Sequence, residues 1–191
     1  IEQDDEHLAW FILDVAGKGL PAALAAVALH TAISMALRMK LSPVEALELV
    51  NEEFYDAYTL TDLMATATIL SLYTTTGQLE IANAGHPPTL IRQQNTWLRL
   101  RATAPPIGVL PELQVETQQI TLMPNDICIC HSDGFSEIET PTKLWGQTGM
   151  LSVIPFGAKD IDALTQHIVT AAQHAGEIQD DQTIVSVIYN G

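Results

Sequence analysis

Basic residues are scarce in this sequence: eight Lys and Arg stand against 23 Asp and Glu, giving a formal net charge of −15. That imbalance excludes a nucleic-acid binder, because a phosphate backbone would be repelled and no basic stripe with interleaved aromatic residues offsets the repulsion. Adhesion to an anionic lipid surface is disfavoured for the same reason. Cysteine is also rare. Cys128 and Cys130 are the only two, and no second Cys pair or His pair stands at zinc-ligand spacing, so they read as small core residues in a reducing cytoplasm. The most apolar stretch, Leu20 to Leu37, is Ala-rich rather than Leu-rich and holds His30 and hydroxyl side chains. It reads as a buried helix and not a membrane span. No basic, apolar, small-residue segment of the signal-peptide kind opens the chain. There is no repeat, low-complexity tract or linker.

What is present is a globular composition: 191 residues, 47% hydrophobic and 16% charged, enough for one domain with a substantial core. Ala9 to Val15 (AWFILDV) predicts a buried strand, with Asp4 and Asp5 before it in a solvated hairpin turn. Leu20 to Lys40 predicts a helix with Pro21 in its first turn. Ser42 with Glu45 three residues on is a capping box, with Pro43 at the first helical position, and starts a second helix ending near Tyr58. Ala65 to Tyr73 and Gln78 to Ala84 read as strands, and Thr89 to Arg92 with Trp97 to Leu100 as a hairpin. Ala104 to Pro111, with three prolines and Gly108, is a loop. Val115 to Leu122 and Asp126 to His131 are further strands around a turn at Pro124 and Asn125. Lys143 to Ala158 is expected to be partly helical, Asp160 to Ala175 is an amphipathic helix, and Thr183 to Tyr189 is a terminal strand. Two helices, a block of short strands and a late helix suit antiparallel sheets with helices on their outer faces.

Three acidic positions share a local grammar. Asp14 ends an apolar run before Val15, Ala16 and Gly17. Asp133 ends the run DICICHSD and is followed by Gly134, and Asp180 with Asp181 precedes the last strand. A carboxylate at the tip of a buried strand is held rigidly with its oxygens open, and three such tips together would make a hard-oxygen cage suited to Mg2+ or Mn2+. The plainer alternative is that Asp is common where strands end and turns begin. Gly17 and Lys18 hint at a phosphate-binding P-loop, but Ile12 and Gly19 occupy the places where glycine and a hydroxyl residue are required. That reading fails.

ILDVAGKGLPAAL (Ile12 to Leu24), NAGHPP (Asn83 to Pro88), PPIG (Pro105 to Gly108), HSDGFSE (His131 to Glu137) and QDDQT (Gln179 to Thr183) occur in this order over the whole chain. Together they resemble the SpoIIE/RsbU branch of the PPM (type-2C) metal-dependent protein serine/threonine phosphatases. The resemblance implies an α+β fold, an αββα sandwich of two antiparallel sheets flanked by helices, in a single domain over residues 1–191. It implies a centre of two Mn2+ or Mg2+ ions. Asp14 would bridge them, the backbone carbonyl of Val15 and Asp133 would be ligands, and Asp180 would complete the set. Asp181 and Gly134 would lie behind these ligands. It also implies a strand with a Gly-Gly-Asp motif before Ile1, so the domain is expected to be N-terminally incomplete and to lack its first strand. Some members carry a histidine two residues after the bridging Asp; Ala16 stands there.

The implied reaction is hydrolysis of phosphoserine or phosphothreonine on a small regulatory protein, such as an anti-sigma-factor antagonist, by a metal-activated water. A sensor or receiver domain upstream, a cytoplasmic location and a homodimer are compatible with the branch. Neither nucleic acid nor membrane insertion is expected. The alternative is a catalytically impaired phosphatase-fold module that binds a regulatory partner. His86 either lines the site or belongs to a rigid loop. Lys18 meets substrate phosphate or is solvated at a helix start. Glu137 and Glu139 read as surface charges, and Met35, Met39 and Met64 as core. Asp62 is expected to start a strand, next to a loop that would contact substrate.

Overall fold

The computed structural model describes residues 1–191 apart from Asp5, Thr59, Leu60, Asp62, Asn95, Pro141, Thr142, Phe156, Gly157 and Lys159. The expectations for Asp5 and Asp62 therefore lie outside the described residues. In chain order the elements are β1 (Glu2–Asp4), β2 (His7–Val15), α1 (Leu20–Arg38), α2 (Pro43–Tyr58), β3 (Ala65–Tyr73), β4 (Gln78–Ala84), β5 (Thr89–Gln93), β6 (Thr96–Leu100), β7 (Gln118–Thr121), β8 (Ile127–His131), α3 (Asp133–Ser136), α4 (Gly146–Val153), α5 (Ile161–Ala175) and β9 (Ile184–Ile188). They divide into two compact units, one of Ile1–Pro88, Leu100–Leu122 and Gly191, the other of Thr89–Arg99 and Met123–Asn190.

The first unit holds a five-stranded sheet in the order β1-β2-β3-β4-β7. β2 and β3 pair over nine residues, from His7 opposite Tyr73 to Val15 opposite Ala65, and each described pairing in this sheet is antiparallel. Its core gathers Leu29, Ile33, Leu37, Leu47, Phe54 and Ile69 from α1, α2 and β3. Each buried side chain of that size contributes about 1.5–3 kcal/mol through removal from water. Alanines on the inner side of α1 (Ala22, Ala25, Ala36) are buried as well. The C-terminal carbonyls of α1 are capped from β1, where the Gln3 side-chain amide donates to Leu37 O at 2.9 Å.

Ser42 and Glu45 form the capping box that their spacing predicts. The Glu45 N–H donates to Ser42 Oγ at 3.3 Å, and the Ser42 N–H donates to Glu45 Oε2 at 2.8 Å. The Ser42 N–H, joined by the Ser42 hydroxyl donating to the same Glu45 oxygen at 2.7 Å, holds the Glu45 carboxyl below its ordinary value.

The second unit holds the sheet β6-β5-β8-β9, with β8 antiparallel to both β5 and β9. Every residue of β8 is buried. α5 buries Leu164, Ile168 and Ala172 at four-residue spacing, and its N-cap Asp160 accepts from the N–H groups of Asp162 and Ala163 at 3.0 Å. Phe135, Ile138 and Met150 join Ile127, Ile129 and Ile168 in one core.

The structure departs from the sequence reading in four places, besides β7, which runs over Gln118–Thr121 and not from Val115 to Leu122. α1 is not a buried helix but a one-sided one: Leu20, Leu24, Val27, Met35 and the following Met39 are exposed. Met64 is exposed as well, so none of Met35, Met39 and Met64 is core. Apolar residues on every side of a helix predict burial all round, whereas this fold packs only one of its sides. The third departure is β1, a three-residue strand too short to give an alternation signal. The fourth is α3, a single turn at Asp133 where the apolar run was expected simply to end.

Two outcomes follow. Ser42→Ala removes the cap of α2 and should lower stability by about 1 kcal/mol in urea unfolding. Asp4 accepts from His7 Nδ1 and Lys40 Nζ, both at 3.0 Å, and these partners, His7 foremost, hold its carboxyl well below the usual carboxylate range. A depressed folded value gives stability that is full above the unfolded pKa of about 3.9 and is lost as pH falls toward the folded one. Asp4→Asn should therefore lower Tm at neutral pH, and its difference from the parent should shrink below about pH 4 in a Tm-against-pH series.

Candidate active site

β8 delivers its chain end into a tight knot of loops. Ser132 is the extended N-cap residue of α3, and Asp133 is that helix's first residue, half-buried. Ser132 Oγ donates to the carbonyl of Asp181 at 3.1 Å and accepts the Thr183 N–H at 3.0 Å, while the Ser132 N–H donates to Thr183 O at 2.9 Å. The Gln182 side-chain amide donates to Gly134 O at 3.0 Å. Gly134 is buried, and a Cβ on it would lie 2.3 Å from Asp181 O and 3.1 Å from Asp180 O. Only glycine lets the turn at Asp180–Asp181 close this far onto α3. One Asp180 carboxylate oxygen accepts the Asp181 N–H at 2.7 Å, which fixes the side chain.

His131, one residue before this knot, is buried. Its Nδ1 donates to Ser132 O at 2.9 Å, and its Nε2 lies 3.2 Å from the Gln147 amide nitrogen. Burial pushes the His131 imidazole below its usual value. Cys128 and Cys130 are free and buried on β8, and the Cys128 thiol is pushed well up by its hydrogen bond with Cys130 and by burial.

In the first unit, Asp14 and Val15 form the end of β2, with Asp14 opposite Thr66 and Val15 opposite Ala65. Thr66 Oγ1 lies 2.9 Å from His86 Nδ1, and the His86 N–H donates to Asn83 Oδ1 at 2.9 Å. Gly85, at φ 68°, donates its N–H to Ala104 O at 2.9 Å, and a Cβ there would meet the Pro106 ring at 2.6 Å. The PPIG loop is further fixed to β3 by the reciprocal bonds between Ala65 and Ile107 at 3.0 and 2.7 Å. Asn51 of α2 holds the same loop, accepting from the Gly108 N–H at 2.9 Å and donating to Leu110 O at 3.1 Å. NAGHPP and PPIG are thus one interlocked scaffold under the β3 end beside Asp14.

The structure joins Asp133, Gly134, Asp180 and Asp181 in one unit and places Asp14 and Val15 on the other. Among the described residues, no group of three or more His, Cys, Asp or Glu side chains stands ready to hold a metal ion. Glu137, Glu139 and Lys18 are exposed, as expected of solvated charges. Sequence reasoning missed Ser132, Gln182, Thr183 and Asn51. The first three flank the acidic motifs, and a hydroxyl just before Asp-Gly is a signal for a turn-bridging role. Asn51 carries no local signal.

Two antiparallel sheets flanked by helices are the architecture of the PP2C phosphatases. The PP2C phosphatase domain of SpoIIE from Bacillus subtilis superimposes with a TM-score of 0.80 at 21% identity, covering all of this chain and 56% of that one. The RsbU and RsbW domains of a Mycobacterium tuberculosis protein give 0.80 at 26% identity, covering 97% of this chain and 53% of that one. The family described as Stage II sporulation protein E (SpoIIE) matches residues 4–189, and the chain belongs to it. Phosphoserine phosphatase RsbP of Bacillus subtilis (strain 168) is 28% identical over 193 residues, covering 97% of this chain and 47% of RsbP. The chain therefore spans about half the length of that relative.

Gly134→Ala should force the Asp180–Asp181 turn away from α3. Urea unfolding is expected to show a loss of about 1–3 kcal/mol, the usual cost of overpacking a closed contact.

Proposed function

We propose that this chain is the catalytic domain of a metal-dependent protein serine/threonine phosphatase that acts on phosphoserine or phosphothreonine of a small regulatory protein. The family membership and the name of RsbP support the reaction class. The observation that carries the reading is the closure of the Asp180–Asp181 backbone on Gly134, because it seats two acidic loops of distant sequence side by side.

The groups that the family resemblance implies as ligands, Asp14 and the Val15 carbonyl on one unit and Asp133 and Asp180 on the other, offer only oxygen donors, which suit Mn2+ or Mg2+ and fit poorly with zinc. Asp180 is already oriented by the Asp181 N–H and keeps a second oxygen for a cation. Two such ions when bound would activate a water and offset charge on the phosphoryl oxygens. The protein's own groups orient and exclude. Ser132 is committed to Asp181 and Thr183 and serves as a positioning residue, not a nucleophile. Both imidazole nitrogens of His131 face partners, and the buried Cys128 thiol stays protonated, so the loop offers no covalent nucleophile. Attack by water is the route these constraints leave.

The second reading is a catalytically impaired phosphatase-fold module that binds a regulatory partner. Phosphate release from a phosphoserine-bearing regulatory protein separates the two. Activity that requires Mn2+, is abolished by chelation and falls at least roughly 100-fold in Asp133→Asn supports the enzyme. Release that is undetectable at every metal concentration, or is untouched by Asp133→Asn, sinks it.

A further inference from the structure

His131 is the last residue of β8, and its imidazole takes no part in the chemistry proposed above. It is 1% exposed, and both ring nitrogens face neighbours. Nδ1 lies 2.9 Å from Ser132 O, and a carbonyl oxygen carries no proton, so Nδ1–H is the donor. Nε2 lies 3.2 Å from the side-chain amide nitrogen of Gln147, the second residue of α4, which donates to it. A cationic ring would set two donors against each other at Nε2, and its charge would be buried. The two contacts together select one neutral tautomer, with the proton on Nδ1.

The acceptor gives this arrangement a role. Ser132 O belongs to the peptide group that joins Ser132 to Asp133. That group is planar, so a hold on its oxygen is a hold on the nitrogen and Cα of Asp133. The same oxygen accepts the Phe135 N–H at 3.2 Å. On its other side Asp133 O accepts the Glu137 N–H at 2.8 Å and the Ser136 hydroxyl at 3.1 Å. α3 is a single turn, and one turn of helix is a weak hold on its own first residue. Its N-cap Ser132 makes no capping bond, because that hydroxyl is spent on Asp181 and Thr183. His131 supplies from β8 a side-chain bond that the turn itself lacks.

We propose, resting on the metal-dependent reading of this site, that His131 is a positioning residue for Asp133 and that Gln147 acts through it by fixing the tautomer. Partners that orient a metal ligand in this way change metal affinity by about 10–100-fold when they are lost. Packing alone is a different account of a buried ring, and the two accounts rank substitutions in opposite orders. Phenylalanine fills the space of the ring and donates nothing. Asparagine leaves part of that space empty but carries an N–H donor one bond from Cγ, where Nδ1 stands. Positioning favours His131→Asn, and packing favours His131→Phe.

Long-range proton–nitrogen correlation spectra of the isotope-labelled, metal-free chain read the tautomer directly and should place the proton on Nδ1. Mn2+ binding by the full chain, followed by electron paramagnetic resonance of the free ion, should weaken by about tenfold or more in His131→Phe and in Gln147→Leu. In His131→Asn it should stay within about threefold of the parent. Gln147→Leu should add nothing in the His131→Asn background, since its effect passes through the ring. Gln147 is only half-buried, so its variant carries the test if a substitution at His131 unfolds the chain. Three results overturn the proposal and leave the metal site standing: a proton on Nε2, tighter binding by His131→Phe than by His131→Asn, or binding that Asp133→Asn abolishes and Gln147→Leu leaves untouched. Absence of Mn2+ binding by the parent overturns the metal-dependent reading, and the proposal with it.

Discussion

Between the carbonyl oxygen of Asp181 and the α-carbon of Gly134 there is no room for a methyl group, since a Cβ would sit 2.3 Å from that oxygen. The contact ties the start of α3 to the turn before β9. Ser132 and Gln182 then lock it with hydrogen bonds that span about 50 residues of sequence, at separations of 49 and 48. Hydrogen bonds of this kind contribute about 0.5–1.5 kcal/mol each, but their larger effect is geometric, because they leave the two acidic loops one arrangement relative to each other. Phe135, two residues after Asp133 and fully buried, anchors the turn from the core side. Asp133 is thus held between a packed phenylalanine and a backbone that cannot retreat.

The first unit solves the equivalent problem by interlocking loops. Its proline- and glycine-containing motifs do not converge on solvent as a set of reactive groups; they brace one another and the end of β3. Gly85 yields space to Pro106, Asn51 reaches from α2 to hold the Gly108 loop, and His86 rests on Thr66. Because Thr66 stands opposite Asp14 in the sheet, its side chain shares a face with that carboxylate, and what fixes Thr66 also fixes the surroundings of Asp14. Rigidity around a strand-tip carboxylate is what the proposed metal-dependent site would require of Asp14, since positioning and charge stabilisation do most of the work in phosphoryl transfer.

α1 connects this scaffold to the outside. One side is buried in the core of its unit, and the other carries leucine, valine and methionine into solvent in a stretch free of acidic residues. The remaining surface, dominated by Asp and Glu, keeps the protein apart from like-charged bodies and polyanions. The two sides of one helix thus differ in what packs against them and not in polarity.

Much of the architecture was legible in the order of residues, and the reason is range. Alternation, helical spacing and turn chemistry act over four residues or fewer, so Ala65–Tyr73, Gln78–Ala84 and the Ser42–Glu45 cap stand where the sequence alone places them. The ordered acidic and glycine motifs likewise identified the family. What only the tertiary structure decided is which groups meet and which faces are covered. The closure of Asp181 on Gly134, the reach of Asn51 to the Gly108 loop and the turn of helix at Asp133 depend on partners far along the chain. Exposure of Met35, Met39 and Met64 belongs to the same class, because hydrophobicity is a property of the side chain, whereas burial is a property of what packs against it.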